Sequence, residues 1–262
     1  MTATKLEFDG ERVVPGQTPI YLIWAHASRY QFARTLLRND GGGRILDAGC
    51  GEGYGTHYLA QHVNQAFGVD IDPLAASHAQ QRYANPKLQY TAMDCCRLAF
   101  APNSFDFVSS FEVIEHFTAV DDYLAEIKRV MAPGGIFVVS TPNKERTPAG
   151  VNRFHDHEYT PGEFAEVLGR HFPKVDYYGQ HCRRALREKL FMESTRLYVN
   201  VTWYRNFINS LSGLYFRGKR ADDHSTQADW VERVDPGTFE FRPNSMEKAT
   251  YLVAVCHKAR TN

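Results

Sequence analysis

The sequence has no CxxC pair, and its five cysteines, Cys50, Cys95, Cys96, Cys182 and Cys256, are an odd number. Adjacent Cys95 and Cys96 are poor disulfide partners on geometric grounds. A disulfide-built fold is therefore not expected, and a reduced, cytoplasmic chain fits this cysteine usage. Charge of one sign is also missing. Thirty Lys and Arg balance thirty Asp and Glu, giving a formal net charge of zero. No overall field draws such a chain toward nucleic acid or an anionic membrane. No apolar run is long enough to span a bilayer. The first residues, MTATKLEFDGERVVPG, lack the basic-then-apolar pattern of a secretion signal. Internal repeats and low-complexity tracts are absent as well.

What is present is alternation. From Arg44 onward, short apolar runs (ILDAG, AFGVDI, LQYTAMD, FDFVSSF, IFVVS) read as buried strands. Between them YGTHYLAQH, PLAASHAQQRY and VDDYLAEIKRVM carry helical spacing. Repeated strand–helix–strand units predict an α/β, Rossmann-like, doubly wound and mostly parallel sheet. APGG, residues 132–135, reads as a helix stop and a turn into the fifth strand. In YTPGEF, Thr160 can cap a helix, Pro161 suits its first position and Glu163 completes a capping box. VDYYG near 175–179 and TYLVAVCHK near 250–258 read as the last two strands. The 262 residues are expected to form one domain: an N-terminal helical segment (1–43), a core (44–180), a helical insert (181–248) and a last strand (249–262). The insert begins with Leu186, Leu190, Leu197, Trp203 and Phe207 at helical spacing among basic residues. It fits either a substrate lid or a solvated helix packed on the core.

RILDAGCGEGYG runs strand, turn, helix, and Gly49, Gly51 and Gly53 permit a tight turn and close approach of a ligand. A G-x-G-x-G turn alone is shared by dinucleotide-binding folds. With no Walker lysine and no strict GxGxxG, a phosphate cradle is disfavoured. Asp47, on the strand before the glycines, can reach an amine-bearing ligand. Asp70, at the end of the second strand, can accept hydrogen bonds from a ribose diol, and Asp94, ending the third, can receive an adenine amino group. Three loop acids near helix caps would be the plainer account.

FEVIEHF gathers Glu112, Glu115 and His116 at i, i+3 and i+4, on one side if a helix begins there. Either Glu112 caps a helix start and the others are solvated, or two carboxylates and an imidazole bind a divalent ion. NRFHDHEYT adds His155 and His157 in the loop after the fifth strand. Two histidines and two acids meeting in one crevice favour the metal.

DAGCGEGYG, GVDID, AMDC, SFDFVSSFEVIEHF and KRVMAPGGIFVVSTPN resemble the motif series of class I S-adenosylmethionine-dependent methyltransferases, over about residues 42–145. The resemblance implies a seven-stranded sheet with an antiparallel last strand. It implies that Asp47, Gly49 and Gly51 hold the methionine end of S-adenosylmethionine and Asp70 the ribose. Asp94 would bind adenine, with Ile71 and Cys95 beside the ring. Phe111 and Tyr30 are counted with the cofactor-binding residues. ExxEH followed by H-x-x-E-Y-T is similar to the metal site of small-RNA 2′-O-methyltransferases, mapping onto Glu112, Glu115, His116 and His155. Carboxylate oxygens suit Mg²⁺ and histidines lean toward Mn²⁺ or Zn²⁺; with no thiolate placed to help, Mg²⁺ or Mn²⁺ is expected, with Glu115, His116 and His155 as the catalytic residues and His155 or His157 taking the acceptor proton.

GERVVPG, HASRYQFA and NRFHDHEYTPGEFAEVLGRHF resemble a bacterial methyltransferase group found with glycan biosynthesis. Ala27-Ser28 and Arg153 depart from its usual pattern and leave the exact acceptor open. His26, Arg29 and Tyr30 then either line the cofactor or pack a helix. The expected reaction is metal-assisted O-methylation of a sugar hydroxyl in an oligosaccharide or cell-surface polysaccharide. O-methylation of a phenolic or catechol molecule is the alternative, and a non-catalytic cofactor-binding scaffold a third reading. Trp203, Tyr204, Tyr215, Trp24 and Trp230 are candidate sugar-stacking residues. A small-molecule or oligosaccharide substrate is the expected partner, a homo-oligomer is compatible, and nucleic acid is not expected.

Overall fold

The protein is described by a computed structural model over residues 12–15, 18, 20–37, 43–146, 155–182 and 230–260. Helix α1 (Ile20–Thr35) precedes β1 (Arg44–Ala48), α2 (Tyr54–Ala60), β2 (Gln65–Asp70), α3 (Pro73–Arg82), β3 (Leu88–Ala92) and β4 (Phe105–Phe111). A 3₁₀ turn (Ile114–His116), α4 (Val120–Val130), β5 (Met131–Pro142), α5 (Pro161–His171) and β6 (Lys174–Cys182) follow. The short helix α6 (Trp230–Arg233), β7 (Phe239–Pro243) and β8 (Tyr251–His257) complete the described chain.

The strands form one sheet in the order β3-β2-β1-β4-β5-β8-β6-β7. Neighbours from β3 to β5 pair in parallel, and β8 runs antiparallel between β5 and β6. The chain order reverses between β1 and β4. Crossovers there lead to opposite faces, which opens a crevice at the carboxyl ends of these strands. The two faces have separate cores. Ile45, Tyr30, Tyr58, Leu59 and Phe107 pack on the α1–α2 side, and Leu46, Phe105, Leu124, Ile127 and Phe164 on the α4–α5 side. Alternation along β1 explains the split: Ile45 faces one core, Leu46 the other.

Local chemistry accounts for the helices. In α4, Tyr123, Leu124, Ile127 and Val130 are buried, while Asp121 and Asp122 open the helix and Lys128 and Arg129 close it, matching its dipole. In α5 the Thr160 side chain accepts from the Glu163 N–H and Glu163 accepts from the Thr160 N–H, the expected capping box.

Three expectations need correction. An eighth strand, β7, extends the predicted seven: Phe239–Pro243 pairs antiparallel with β6 from Tyr178↔Pro243 to Cys182↔Phe239. APGG does not separate a helix from a strand. It lies inside β5, where pairing shifts between Phe105↔Met131 and Phe107↔Ile136 and Gly134 takes φ 77°. FEVIEHF does not start an α-helix. Glu112 sits at φ 57° with its N–H bonded to the Ser140 carbonyl, which prolongs the β4–β5 ladder, and only a 3₁₀ turn follows. The amphipathic insert helix, Arg153, Trp203, Tyr204 and Tyr215 lie outside the described residues. Trp24 and Trp230 pack on the α1–α2 core, Trp230 with its ring 4.8 Å from Tyr54. No helix among the described residues is long and apolar enough to cross a membrane.

Candidate functional site

The glycine-rich turn between β1 and α2 is left-handed at Gly49 (φ 80°), Gly51 (φ 55°) and Gly53 (φ 97°). A side chain at Gly49 would run into Val113, so the turn packs directly on the segment leaving β4. Asp47, one residue before the end of β1, is fully buried. Its carboxylate accepts from Thr56 Oγ1 (2.7 Å), Ser109 Oγ (2.8 Å) and Tyr30 Oη (3.1 Å). Burial pushes its pKa up to about 6, against the three hydroxyls that pull it down. Tyr30 is itself buried and meets Phe111 edge-on at 4.9 Å, which places both beside Asp47.

Asp70 closes β2. Its Oδ2 accepts from the Gly51 N–H at 2.8 Å and its Oδ1 from the Asp72 N–H at 3.0 Å. Arg12 reaches over from the N-terminal segment, 3.0 Å from Asp72 and 3.8 Å from Asp70. Ile71, beside it, is 75% exposed. Asp94 is exposed and lies two residues beyond β3, accepting from the Cys96 N–H, with Cys95 buried next to it. The structure thus brings Asp47, Gly49, Gly51, Asp70, Tyr30 and Phe111 to the strand ends of β1, β2 and β4.

A second cluster lies beyond β4. Ligand-capable atoms of Glu115, His116 and His155 all fall within 4.8 Å of one another. The two imidazole rings meet edge to face at 5.2 Å. Glu115 is fully buried; Oε2 accepts from Thr141 Oγ1 at 3.0 Å, and Oε1 is buried with no hydrogen-bond partner. Burial, then the charge of Glu112, raises its pKa well above the usual carboxylate range. The loop carrying His155 is tied in place by the N–H groups of Asp156 and His157, which both donate to the Glu115 carbonyl (2.9 and 3.0 Å). His155 Nδ1 lies 3.3 Å from Glu158, its neighbour in the expected H-x-x-E spacing. His157 turns outward, against Tyr159 and 3.8 Å from Glu163.

The donor set fits a divalent ion. A buried carboxylate with one unpartnered oxygen, grouped with two imidazoles, is a set of donors that could hold a divalent cation. Glu112 stands outside this group. Its Oε1 accepts from Ser140 Oγ at 2.6 Å and lies 3.8 Å from Arg29 Nη2.

Several residues escaped the sequence reading. Thr56 on α2 and Ser109, Ser140 and Thr141 on β4 and β5 anchor the acids, and hydroxyls inside otherwise apolar strands are the available signal for the last three. Gln180 is fully buried, accepts from Arg29 Nη1 (2.8 Å) and donates to Ser28 Oγ and the Ala25 carbonyl, fastening α1 to β6.

Residues 46–139 match a family model described as a methyltransferase domain. A Mycolicibacterium smegmatis protein named a probable S-adenosylmethionine-dependent methyltransferase is 34% identical over 168 residues, 62% of this chain and 63% of that one. The phthiotriol/phenolphthiotriol dimycocerosates methyltransferase of Mycobacterium leprae is 34% identical over 113 residues, 42% of each chain. The chain thus matches somewhat under two thirds of the first relative's length. Among solved structures, an S-adenosylmethionine-dependent methyltransferase from Mesorhizobium loti superposes with a TM-score of 0.56 at 17% identity, covering 90% of this chain and 100% of that one. Haemonchus contortus phosphoethanolamine N-methyltransferase 2, solved with S-adenosyl-L-methionine, gives 0.58 at 18% identity, covering 96% and 55%. Residues 46–139 thus resemble a methyltransferase domain, and the described sheet has the Rossmann-like fold of these solved methyltransferases.

Proposed function

We propose that the chain is an S-adenosylmethionine-dependent O-methyltransferase acting on a sugar hydroxyl of an oligosaccharide or cell-surface polysaccharide, with a divalent ion at Glu115, His116 and His155. The observation that carries the reading is the convergence of Glu115, His116 and His155, with one Glu115 oxygen buried and unpartnered, in a chain whose glycine turn lies in a stretch resembling a methyltransferase domain.

S-adenosylmethionine would supply an electrophilic methyl group. Asp47, kept in place by Tyr30, Thr56 and Ser109, offers a carboxylate near the methionine end. Asp70 accepts from the ribose diol, exchanging the Gly51 N–H and the nearby Arg12 for cofactor hydroxyls. Ile71 and Cys95 flank the adenine, and Asp94 receives its amino group. A bound Mg²⁺ or Mn²⁺ would lower the pKa of an acceptor hydroxyl and orient a neighbouring one. Glu115, His116 and His155 would hold that ion at the edge of the same crevice; where His155 is not a ligand it would take the acceptor proton, and otherwise the proton passes to water.

A phenolic acceptor is the second reading. Catechol oxygens would occupy the same position as a sugar diol. The test is transfer of a labelled methyl group from S-adenosylmethionine to a panel of methyl glycosides of glucose, mannose, galactose and rhamnose, with catechol alongside. Labelled glycoside supports the sugar reading. Labelled catechol with no labelled glycoside moves the assignment to phenols. No labelled acceptor, with cofactor bound, leaves a scaffold.

A further inference from the structure

Glu112 is the one member of the ExxEH pattern that the structure sets apart. The ligand atoms of Glu115, His116 and His155 converge within 4.8 Å without it. Its carboxylate is committed elsewhere, to a hydroxyl on β5 and a guanidinium on α1. Ser140 Oγ donates to Oε1 at 2.6 Å, and Arg29 Nη2 lies 3.8 Å from the same oxygen.

Arg29 has strong reasons to keep this partner. It is fully buried, its guanidinium lies 4.5 Å over the Tyr251 ring, and Nη1 is used by Gln180. Nε and Nη2 have no hydrogen bond. Glu112 is the carboxylate that balances this buried charge, and drawing it toward a metal would leave the guanidinium uncompensated. The backbone is set to match. Glu112 holds φ 57°, a strained value for a glutamate, with its N–H fixed to the Ser140 carbonyl. Strain of this kind persists where the surroundings over-determine it, and it gathers at functional sites.

Position indicates what the carboxylate faces. Ser140 pairs with Phe111 across β4–β5, and Tyr251 opens β8 opposite Pro142. Glu112 therefore sits at the β4–β5 end of the crevice, between Phe111, which packs on Tyr30 beside Asp47, and Val113, which packs on the Gly49 turn. Both neighbours act on Oε1, while the Glu112 side chain keeps 14% exposure. We infer that Glu112 is an acceptor-facing carboxylate, hydrogen-bonding a substrate hydroxyl, and that Arg29 is a positioning residue that keeps it from serving as a fourth metal ligand. The inference rests on the metal site proposed above.

The experiment is Mn²⁺ titration of the full chain by calorimetry, on the wild type, Glu112→Gln, Glu115→Gln, Arg29→Met and the Arg29→Met/Glu112→Gln double variant. The expected result is a Kd for Mn²⁺ within about twofold of wild type in Glu112→Gln and at least tenfold weaker in Glu115→Gln. Arg29→Met releases Glu112 and tightens Mn²⁺ binding several-fold, a gain that the double variant loses. A merely structural role for Arg29 would not produce that pattern. Glu112→Gln weakening Mn²⁺ as much as Glu115→Gln overturns the inference while leaving the metal site standing. Failure of the wild type to bind Mn²⁺ removes the metal site and this inference together. With the methyl glycoside labelled in the panel above, Glu112→Gln is expected to raise the acceptor KM about tenfold with cofactor Kd unchanged. An unchanged KM overturns the acceptor-facing role.

Discussion

Asp47 carries its charge in a place that resists it. With its pKa held at about 6 against an ordinary 3.8, the protonated form is favoured by the fold. The sign follows from linkage: between pH 3.8 and 6 the folded chain keeps a proton the unfolded chain has lost, so this contribution is complete below 3.8 and gone above 6. Urea unfolding should therefore show wild type losing about 3 kcal/mol relative to Asp47→Asn as pH rises through that window. A flat difference would mean that the three hydroxyls compensate the charge. Glu115 makes the sharper case, because one of its oxygens has no partner. Without metal, Glu115→Gln should raise stability at high pH, because a neutral amide removes a carboxylate charge that burial and the Glu112 charge both disfavour. A less stable Glu115→Gln would show that the carboxylate is already satisfied. The acids, glycines and histidines of the site were legible as residue types at strand ends. Their partners were not. Nothing in the spacing of Ser109, Ser140 or Arg29 says that each will meet a carboxylate from another strand or turn, since those meetings are made by sheet register. Glu112 looked equivalent to Glu115 in ExxEH, and a single left-handed backbone position separates them.

At the scale of elements, local chemistry predicted well where it is local. The Thr160 box was readable because cap, proline and glutamate are consecutive, and Thr160→Ala should cost about 1 kcal/mol in thermal unfolding. No change in Tm would mean that packing of Phe164 and Leu168 alone fixes α5. The α1–α2 contact is a tertiary matter instead. A methyl at Gly55 would run into the Tyr30 ring, which must then leave Asp47. Gly55→Ala is expected to destabilise by about 1–3 kcal/mol and to weaken S-adenosylmethionine binding measured by calorimetry. Unaltered binding would detach Tyr30 from the cofactor side. The strands β1 to β5 were visible as apolar runs because the sheet is covered on both faces. β7 was hidden, being a short edge strand, FEFRP, whose alternation is only five residues long and whose partner lies more than fifty residues away.

Across the whole molecule, the crevice is where the chain order reverses, and each half has its own chemistry. The β1–β2–β3 ends carry the acids and glycines suited to a nucleoside and an amino acid. The β4–β5 ends carry Glu112 and the Glu115–His116–His155 group. The proposed methyl transfer needs both halves, a donor and an acceptor side within reach of one another. The division also explains why zero net charge is compatible with so many carboxylates at one edge: Arg12 stands over Asp70 and Asp72, and Arg29 beside Glu112. The central claim is that the second half works by holding a divalent ion. It is tested most directly by the rate of labelled methyl transfer to the glycoside panel after EDTA treatment, then with Mn²⁺ restored, in wild type and Glu115→Gln. Transfer abolished by EDTA, restored by Mn²⁺ in the wild type and reduced at least a hundredfold in Glu115→Gln is the predicted result. Transfer indifferent to EDTA, with Glu115→Gln as active as wild type, would contradict the account.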